Sequence, residues 1–173
     1  MHWIFGYGSL IWRPDFPYRQ TRKAQLRGWR RRFWQASPDH RGIPGAPGRV
    51  VTLVEDPGAV CWGLAFEVAV LDWSAIVRML DEREKNGYTS HQVGLEFEDG
   101  SPVTALTYIA GPGNPSFVGP APRAAMAAQI ALAVGPSGSN REYLLRLART
   151  LADLDIHDEE VVHLQRAMSS TER

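Results

Sequence analysis

Residues 4–10 read Ile4-Phe5-Gly6-Tyr7-Gly8-Ser9-Leu10, two glycines and a serine directly behind an apolar run. A stretch of this kind uses its backbone to hold something, and spacing excludes three familiar ways of doing so. A dinucleotide fingerprint, G-x-G-x-x-G, needs glycine where Ile11 stands. A phosphate loop needs a closing Gly-Lys-Ser/Thr, and none follows. A serine-hydrolase elbow, G-x-S-x-G, fails because Tyr7 and Ile11 occupy the glycine positions around Ser9. What remains is a nest in which glycines let backbone N–H groups converge on an anion, with Ser9 a hydrogen-bond donor and not a nucleophile. The bland alternative is a tight turn after an edge strand.

A carboxylate is the second candidate. Through Trp73-Ser74-Ala75-Ile76-Val77-Arg78-Met79-Leu80 the apolar residues recur at helical spacing behind Asp72, a plausible N-cap, and the segment runs on into Asp81-Glu82-Arg83-Glu84-Lys85. At about 100° per residue, Trp73, Ile76, Val77 and Leu80 share one face. Glu84, eleven residues after Trp73, returns to within about 20° of it, whereas Glu82 points into solvent. An inward carboxylate costs free energy unless it is paired or serves chemistry. Glu84 is therefore either an anchor for the helix end, held by an arginine or a backbone donor, or a general acid/base.

Together with the loop, these residues resemble a family. GYGSL near the start, RRFWQASPDHRGIPGAPGRVVTLVED in the middle and LDEREKNGY on the helix are similar to the ChaC-type γ-glutamylcyclotransferases. FVGPAPRAAMAAQI and GPSGSNREYL continue the likeness in order to about residue 150. The pattern departs from the family's at Gly113-Asn114-Pro115-Ser116-Phe117-Val118, where an acidic residue and a tyrosine are expected after the proline. The resemblance implies an α+β fold, a γ-glutamylcyclotransferase-like curved sheet or small β-barrel with flanking α-helices. It implies a lyase that cuts glutathione into 5-oxoproline and cysteinylglycine without a cofactor. It places Ile4, Phe5, Gly6, Tyr7, Gly8 and Ser9 in the substrate-binding loop, makes Glu84 the catalytic acid/base, and adds Tyr143 as a further pocket residue. Two other functions stay open: a cyclotransferase for other γ-glutamyl amino acids or amines, and a non-catalytic binder of small acidic metabolites.

The implied chemistry suits the residues. A γ-glutamyl compound carries its own nucleophile, the α-amine, so ring closure needs no serine, cysteine or metal, only a chain folded back on itself. A base must take a proton from the ammonium group and an acid must give one to the departing cysteine nitrogen; one carboxyl can do both in turn. A free glutamate titrates at about 4.3, too low for good proton transfer near neutrality. Burial raises that value, and a raised value is expected for Glu84. The loop would receive the α-carboxylate or the developing oxyanion, where donors are commonly worth about 3 kcal/mol of barrier.

The elements that must position these residues are strands first and helices later. Residues 2–6, 24–36, 49–55, 60–70, 88–98 and 103–109 read as strands, interrupted by a helix at about 72–85, and 121–134, 140–154 and 158–168 read as helices. That order argues for α+β architecture, taken here as a single domain over residues 1–173. Two proline-rich loops, 38–48 and 111–122, are expected to cover something in a fixed shape. His40 and Arg41 in the first of them are weaker candidates for closing a pocket, and Ser169 to Arg173 are expected to fray.

Composition narrows the partners. Nineteen basic and 19 acidic residues cancel, which gives no general attraction to nucleic acid or an anionic membrane. Arginines and aromatics mix in Gly28-Trp29-Arg30-Arg31-Arg32-Phe33-Trp34, but strand alternation splits them between two faces. The histidines His2, His40, His91, His157 and His163 show no metal-ligand spacing. One cysteine, Cys61, forms no internal disulfide, fits a reducing compartment and reads as a buried thiol. The apolar opening is too short for a signal peptide, and no run approaches the about 20 residues of a membrane span. The expectation is a cytoplasmic monomer with a small-molecule substrate, glutathione by the resemblance, and with no metal, nucleic-acid partner or membrane partner.

Overall fold

The computed structural model describes residues 1–170; residues 171–173, part of the stretch expected to fray, lie outside the described residues. The chain forms two compact units, Met1–Arg30 with Leu53–Gly111, and Arg31–Thr52 with the residues from Pro112 onward. Strands β2 (Gln20–Ser37) and β3 (Gly48–Val68) supply residues to both.

In the first unit, β1 (His2–Gly6), β4 (Thr89–Phe97) and β5 (Pro102–Ile109) join β2 and β3 in a closed barrel of order β1-β3-β2-β4-β5. β1 lies inside that order, antiparallel to β3 with Ile4 opposite Phe66, and parallel to β5 with Ile4 opposite Leu106. Its residues Ile4, Phe5 and Gly6 are buried in succession, which explains why the segment reads as an apolar run rather than an alternation. Helix α1 (Trp73–Arg83) lays Ile76 and Leu80 into a core of Ile4, Leu10, Phe16, Phe66, Val68, Leu106 and Tyr108. Each such side chain contributes about 1.5–3 kcal/mol on burial. This packing fixes the angle at which the end of α1 meets the end of β1.

The structure corrects the sequence reading in two places here. β3 is one strand where two were expected, because Pro57 and Gly58 are exposed and a strand tolerates proline at such a position. Asp72 precedes α1 and its carbonyl accepts from Ile76 N at 3.0 Å, yet its side chain makes no capping bond.

In the second unit, helices α2 (Arg123–Leu132), α3 (Asn140–Asp153) and α4 (Glu159–Ser170) pack on one another, and a two-residue hairpin, β6 (Val134–Gly135) with β7 (Gly138–Ser139), leads into α3. Ser139 caps α3 by accepting from Glu142 N at 3.1 Å. The fully buried Asn140 clamps the backbone of β3: its Oδ1 accepts from Arg49 N and its Nδ2 donates to Arg49 O, both at 2.7 Å. Alternation in β2 buries Arg31, Phe33 and Gln35, and the Arg31 guanidinium is paired with Asp158 at 2.6 Å. In the loop 38–48, Ser37 Oγ accepts from Arg41 N at 3.0 Å and Ile43 bridges to Ala46.

Candidate active site

The loop after β1 is shaped by close approach. A Cβ at Gly6 would lie 2.9 Å from the Cβ of Leu10 and 3.3 Å from the ring of Phe66, so the chain can turn back over its own strand only without a side chain there. A Cβ at Gly63, on the neighbouring β3, would stand 2.3 Å from the carbonyl oxygen of Gly6. Neither Gly6 nor Gly8 has a positive φ, and Gly8 sits at φ −124° and ψ −135°. The loop is therefore not the alternating right- and left-handed nest that glycines commonly build. It passes instead into a 3₁₀ turn, Ser9–Ile11, in which Gly8 O accepts from Ile11 N at 3.0 Å and Ser9 O accepts from Arg13 N at 2.9 Å.

Burial grades the six loop residues. Ile4, Phe5, Gly6 and Tyr7 are buried, and Gly8 and Ser9 are half-buried. The side chains of Ile4 and Phe5 are fully buried on opposite faces of β1, Ile4 in the core that receives Ile76 and Leu80 of α1, and Phe5 O accepts from the buried Thr107 hydroxyl at 3.0 Å. The Tyr7 hydroxyl donates to Tyr108 O at 2.6 Å, tying the loop to β5.

Glu84 closes α1 as its C-cap residue, at φ −95° and ψ 31°, with its N–H donated to Leu80 O at 2.9 Å. The helical wheel was thus carried one residue past the last helical position. The side chain is nonetheless turned inward, only 18% exposed, while Glu82 is exposed. Beside it lies Arg83, equally covered, whose Nε stands 3.5 Å from Glu84 Oε1. Arg83 Nη2 donates to Ser9 Oγ at 3.1 Å, and Nη1 donates to Arg13 O at 2.8 Å, Pro14 O at 3.3 Å and Asp15 Oδ2 at 3.2 Å. One guanidinium therefore connects the carboxylate to the glycine loop.

A phenol completes the group. Tyr108, on β5, donates its hydroxyl to Asp81 Oδ1 at 2.6 Å. Burial above all, then the Asp81 bond and charge, then the charge of Glu84, push that hydroxyl well above the ordinary tyrosine range, so it stays protonated at any physiological pH. The first unit thus gathers a covered carboxylate, a guanidinium, a serine hydroxyl, a neutral phenol and a tight backbone loop. That set can bind an anion and move protons at Glu84.

Tyr143 belongs to the second unit, on α3. Its hydroxyl oxygen accepts from Val51 N at 3.3 Å, and its ring meets Phe33 edge-on at a centroid distance of 6.1 Å. Arg41 in the same unit donates to Ser139 O at 3.2 Å, and its guanidinium lies 5.6 Å from the Tyr143 ring centroid. His40 is exposed and its Nδ1 meets Ser137 Oγ at 3.0 Å. Sequence reasoning missed Arg83 and Tyr108. Arg83 was passed over as part of a charge run, and the only signal for it was its place beside Glu84. Among the described residues no group of three or more His, Cys, Asp and Glu could hold a metal ion, and no helix is long and apolar enough to cross a membrane.

The fold is that of the γ-glutamyl cyclotransferases, an α+β barrel with flanking helices. A structure described as "Gamma-glutamyl cyclotransferase" superposes with a TM-score of 0.51 at 15% identity, covering 95% of this chain and 98% of that one. A crystal structure of a yeast γ-glutamyl cyclotransferase specific to glutathione superposes with a TM-score of 0.91 at 30% identity, covering 98% and 96%. The chain belongs to the ChaC-like protein family, whose model matches residues 2–171. It is 43% identical to glutathione-specific γ-glutamylcyclotransferase 1 of Danio rerio over 99% of this chain and 90% of the relative. It is 49% identical to the Homo sapiens protein of the same name over 84% and 68%.

Proposed function

We infer that this protein is a glutathione-specific γ-glutamylcyclotransferase, releasing 5-oxoproline and cysteinylglycine. Relatives at 43% and 49% identity bear that name. The observation that carries the mechanism is the covered Glu84 carboxylate, linked through Arg83 to Ser9 of the glycine loop. The substrate's α-amine attacks its own γ-carbonyl, a new C–N bond closes the ring, and the C–N bond to cysteine breaks. Two protons leave the attacking nitrogen and two arrive on the departing one. Glu84 relays them, as base and then as acid.

Backbone N–H groups of the loop, with the Ser9 hydroxyl, receive the α-carboxylate or the oxyanion. Ile4, Phe5 and Gly6 serve as the strand end on which Tyr7, Gly8 and Ser9 are mounted. Tyr143 is assigned as a further substrate contact on the family resemblance alone. The nucleophile comes with the substrate, so the scheme calls for no cofactor. A zero formal charge supports a small-molecule partner and not nucleic acid, and the proposal is of a monomer working in the cytoplasm.

A second substrate range has one observation in its favour: a relative from Arabidopsis thaliana, 38% identical over 94% of this chain and 85% of its own, is named γ-glutamylcyclotransferase 2-3 without reference to glutathione. Purified protein incubated with glutathione and, separately, with γ-glutamyl-alanine separates the readings by the 5-oxoproline formed. Release from glutathione alone is expected. Release from γ-glutamyl-alanine instead moves the specificity, and release from neither leaves only a binder of small acidic metabolites. Glu84→Gln keeps the shape and removes the proton transfer, so kcat should fall by about 10²–10⁴-fold with binding retained. A near-wild-type rate in Glu84→Gln, with loss in Glu82→Gln, removes Glu84 from the mechanism.

A further inference from the structure

We propose that Arg83 is the positioning residue of this reaction: its guanidinium bolts the helix end that carries Glu84 to the glycine loop and biases the Glu84 carboxylate towards its ionised form. The proposal rests on the reading of Glu84 as the acid/base.

The geometry is a fork with different tines on different elements. Nη2 reaches the Ser9 hydroxyl, Nη1 reaches the carbonyls of Arg13 and Pro14 and the carboxylate of Asp15, and Nε faces Glu84. Only a planar guanidinium presents donors along several fixed directions at once; a lysine ammonium is a point charge on a flexible stem. The side chain is mostly covered, 18% exposed, so its contacts are less screened than those of a surface pair. It therefore ties the segment after the glycine loop, which folds back through Asp15 at φ 58°, to the last turn of α1.

Two chemical consequences follow. Ser9 accepts from Arg83 through an oxygen lone pair, which directs its own O–H away from the guanidinium, so that it can donate to an anion held by the loop. The Nε to Oε1 distance of 3.5 Å is longer than a strong charge-assisted bond and still within the range in which a cation favours an ionised carboxyl. A general base that must fill and empty with each turnover is served by such a contact. It favours the charged form through a cation held at 3.5 Å. The charged or titratable groups tied to Glu84 through these contacts are Arg83 and Asp81 on α1, Tyr108 on β5, and Asp15 beyond the 3₁₀ turn. Among them Arg83 is the cation.

The test compares the wild type with Arg83→Met, Arg83→Lys and Glu84→Gln. It measures kcat and KM for glutathione across pH, with a thermal melt of each variant. Removing the cation should lower kcat by about 10²-fold through misplacement of the reacting groups, with KM changed far less. It should also move the acid limb of the kcat/KM profile to higher pH, because the carboxyl then holds its proton more tightly. Arg83→Lys should keep the acid limb near its wild-type place and still lose kcat, since it restores charge and not the fork.

Wild-type kcat in Arg83→Met, or an acid limb that does not move, overturns the proposal, because a merely structural tether would leave the limb in place. If Arg83→Met fails to fold, Arg83→Lys decides: wild-type kcat in that variant, or a kcat lowered only in step with its melting temperature, overturns the positioning role, and a lowered kcat at the wild-type melting temperature supports it. An active Glu84→Gln is a different failure, that of the acid/base reading, and is seen independently of Arg83.

Discussion

Ser9 and Glu84 sit far apart in the sequence, and the residue that joins them is the one the sequence did not single out. A helical wheel found the direction of Glu84 because that direction follows from local periodicity. It found nothing at Arg83, because its partners Ser9 and Arg13 lie 74 and 70 positions earlier, and no local pattern encodes a contact of that separation. Ser9 was legible only as a loop donor; its coupling to Arg83 gives the assignment a direction. Ser9→Ala should therefore lower kcat/KM by about 10²-fold, the loss usual for one donor at an oxyanion. The fold should survive, since Arg83 keeps its contacts with Arg13, Pro14 and Asp15. A steady-state assay that finds kcat/KM unchanged would return Ser9 to the role of a simple turn residue.

Elements were readable where a local pattern marks them without interruption. Helices α1 to α4 emerged close to their observed limits because each repeats its pattern over several turns, and strand β1 because its apolar run is bounded by the glycines that follow it. The hairpin of β6 and β7 did not, because two-residue strands offer no alternation to detect. β3 was divided at Pro57-Gly58 by a breaker rule that its exposed position overrides. What no propensity reveals is that β3 must carry a glycine at position 63, where a Cβ would stand 2.3 Å from the carbonyl oxygen of Gly6. A backbone oxygen cannot swing aside as a side chain can. Gly63→Ala should therefore displace the loop, cost about 1–3 kcal/mol as overpacking does, and lower both the melting temperature and kcat. Gly94→Ala on β4 is the control. Nothing lies within 4 Å of a Cβ there and φ is not positive, so stability should hold or rise by about 0.4–1 kcal/mol. Equal melting temperatures for the two variants would mean that the close approach under Gly6 relaxes freely.

At the scale of the whole molecule, equal numbers of acidic and basic residues leave little general self-repulsion near neutrality, so the pH dependence of stability should be set by particular carboxylates. Two of them pull in opposite directions. Asp99, in the first unit, is held down to about 2 from an ordinary 3.8, mainly by the Ser101 hydroxyl and N–H, with Arg22 adding to both. A depressed carboxyl contributes stability that is complete above its unfolded value, so this contribution is lost as pH falls from 3.8 through about 2. Glu160, in the second unit, is pushed up from 4.5 by burial, against the Phe33 N–H and Arg32, which favour its charge. A raised carboxyl works the other way. Its contribution is complete below 4.5 and is lost as pH rises through the folded value, because the charge must then form inside the protein. Melting temperatures measured across pH should accordingly show Asp99→Asn flattening the acid decline and lying below the wild type near neutrality, where the carboxylate's contribution is complete. The difference between Glu160→Gln and the wild type should move in favour of the variant as pH rises above 4.5, where the carboxyl ionises in the unfolded chain while burial opposes its charge in the folded one. If that difference moves against the variant instead, attraction between Glu160 and Arg32 outweighs the desolvation of the carboxylate, and burial does not govern the charge balance of the second unit.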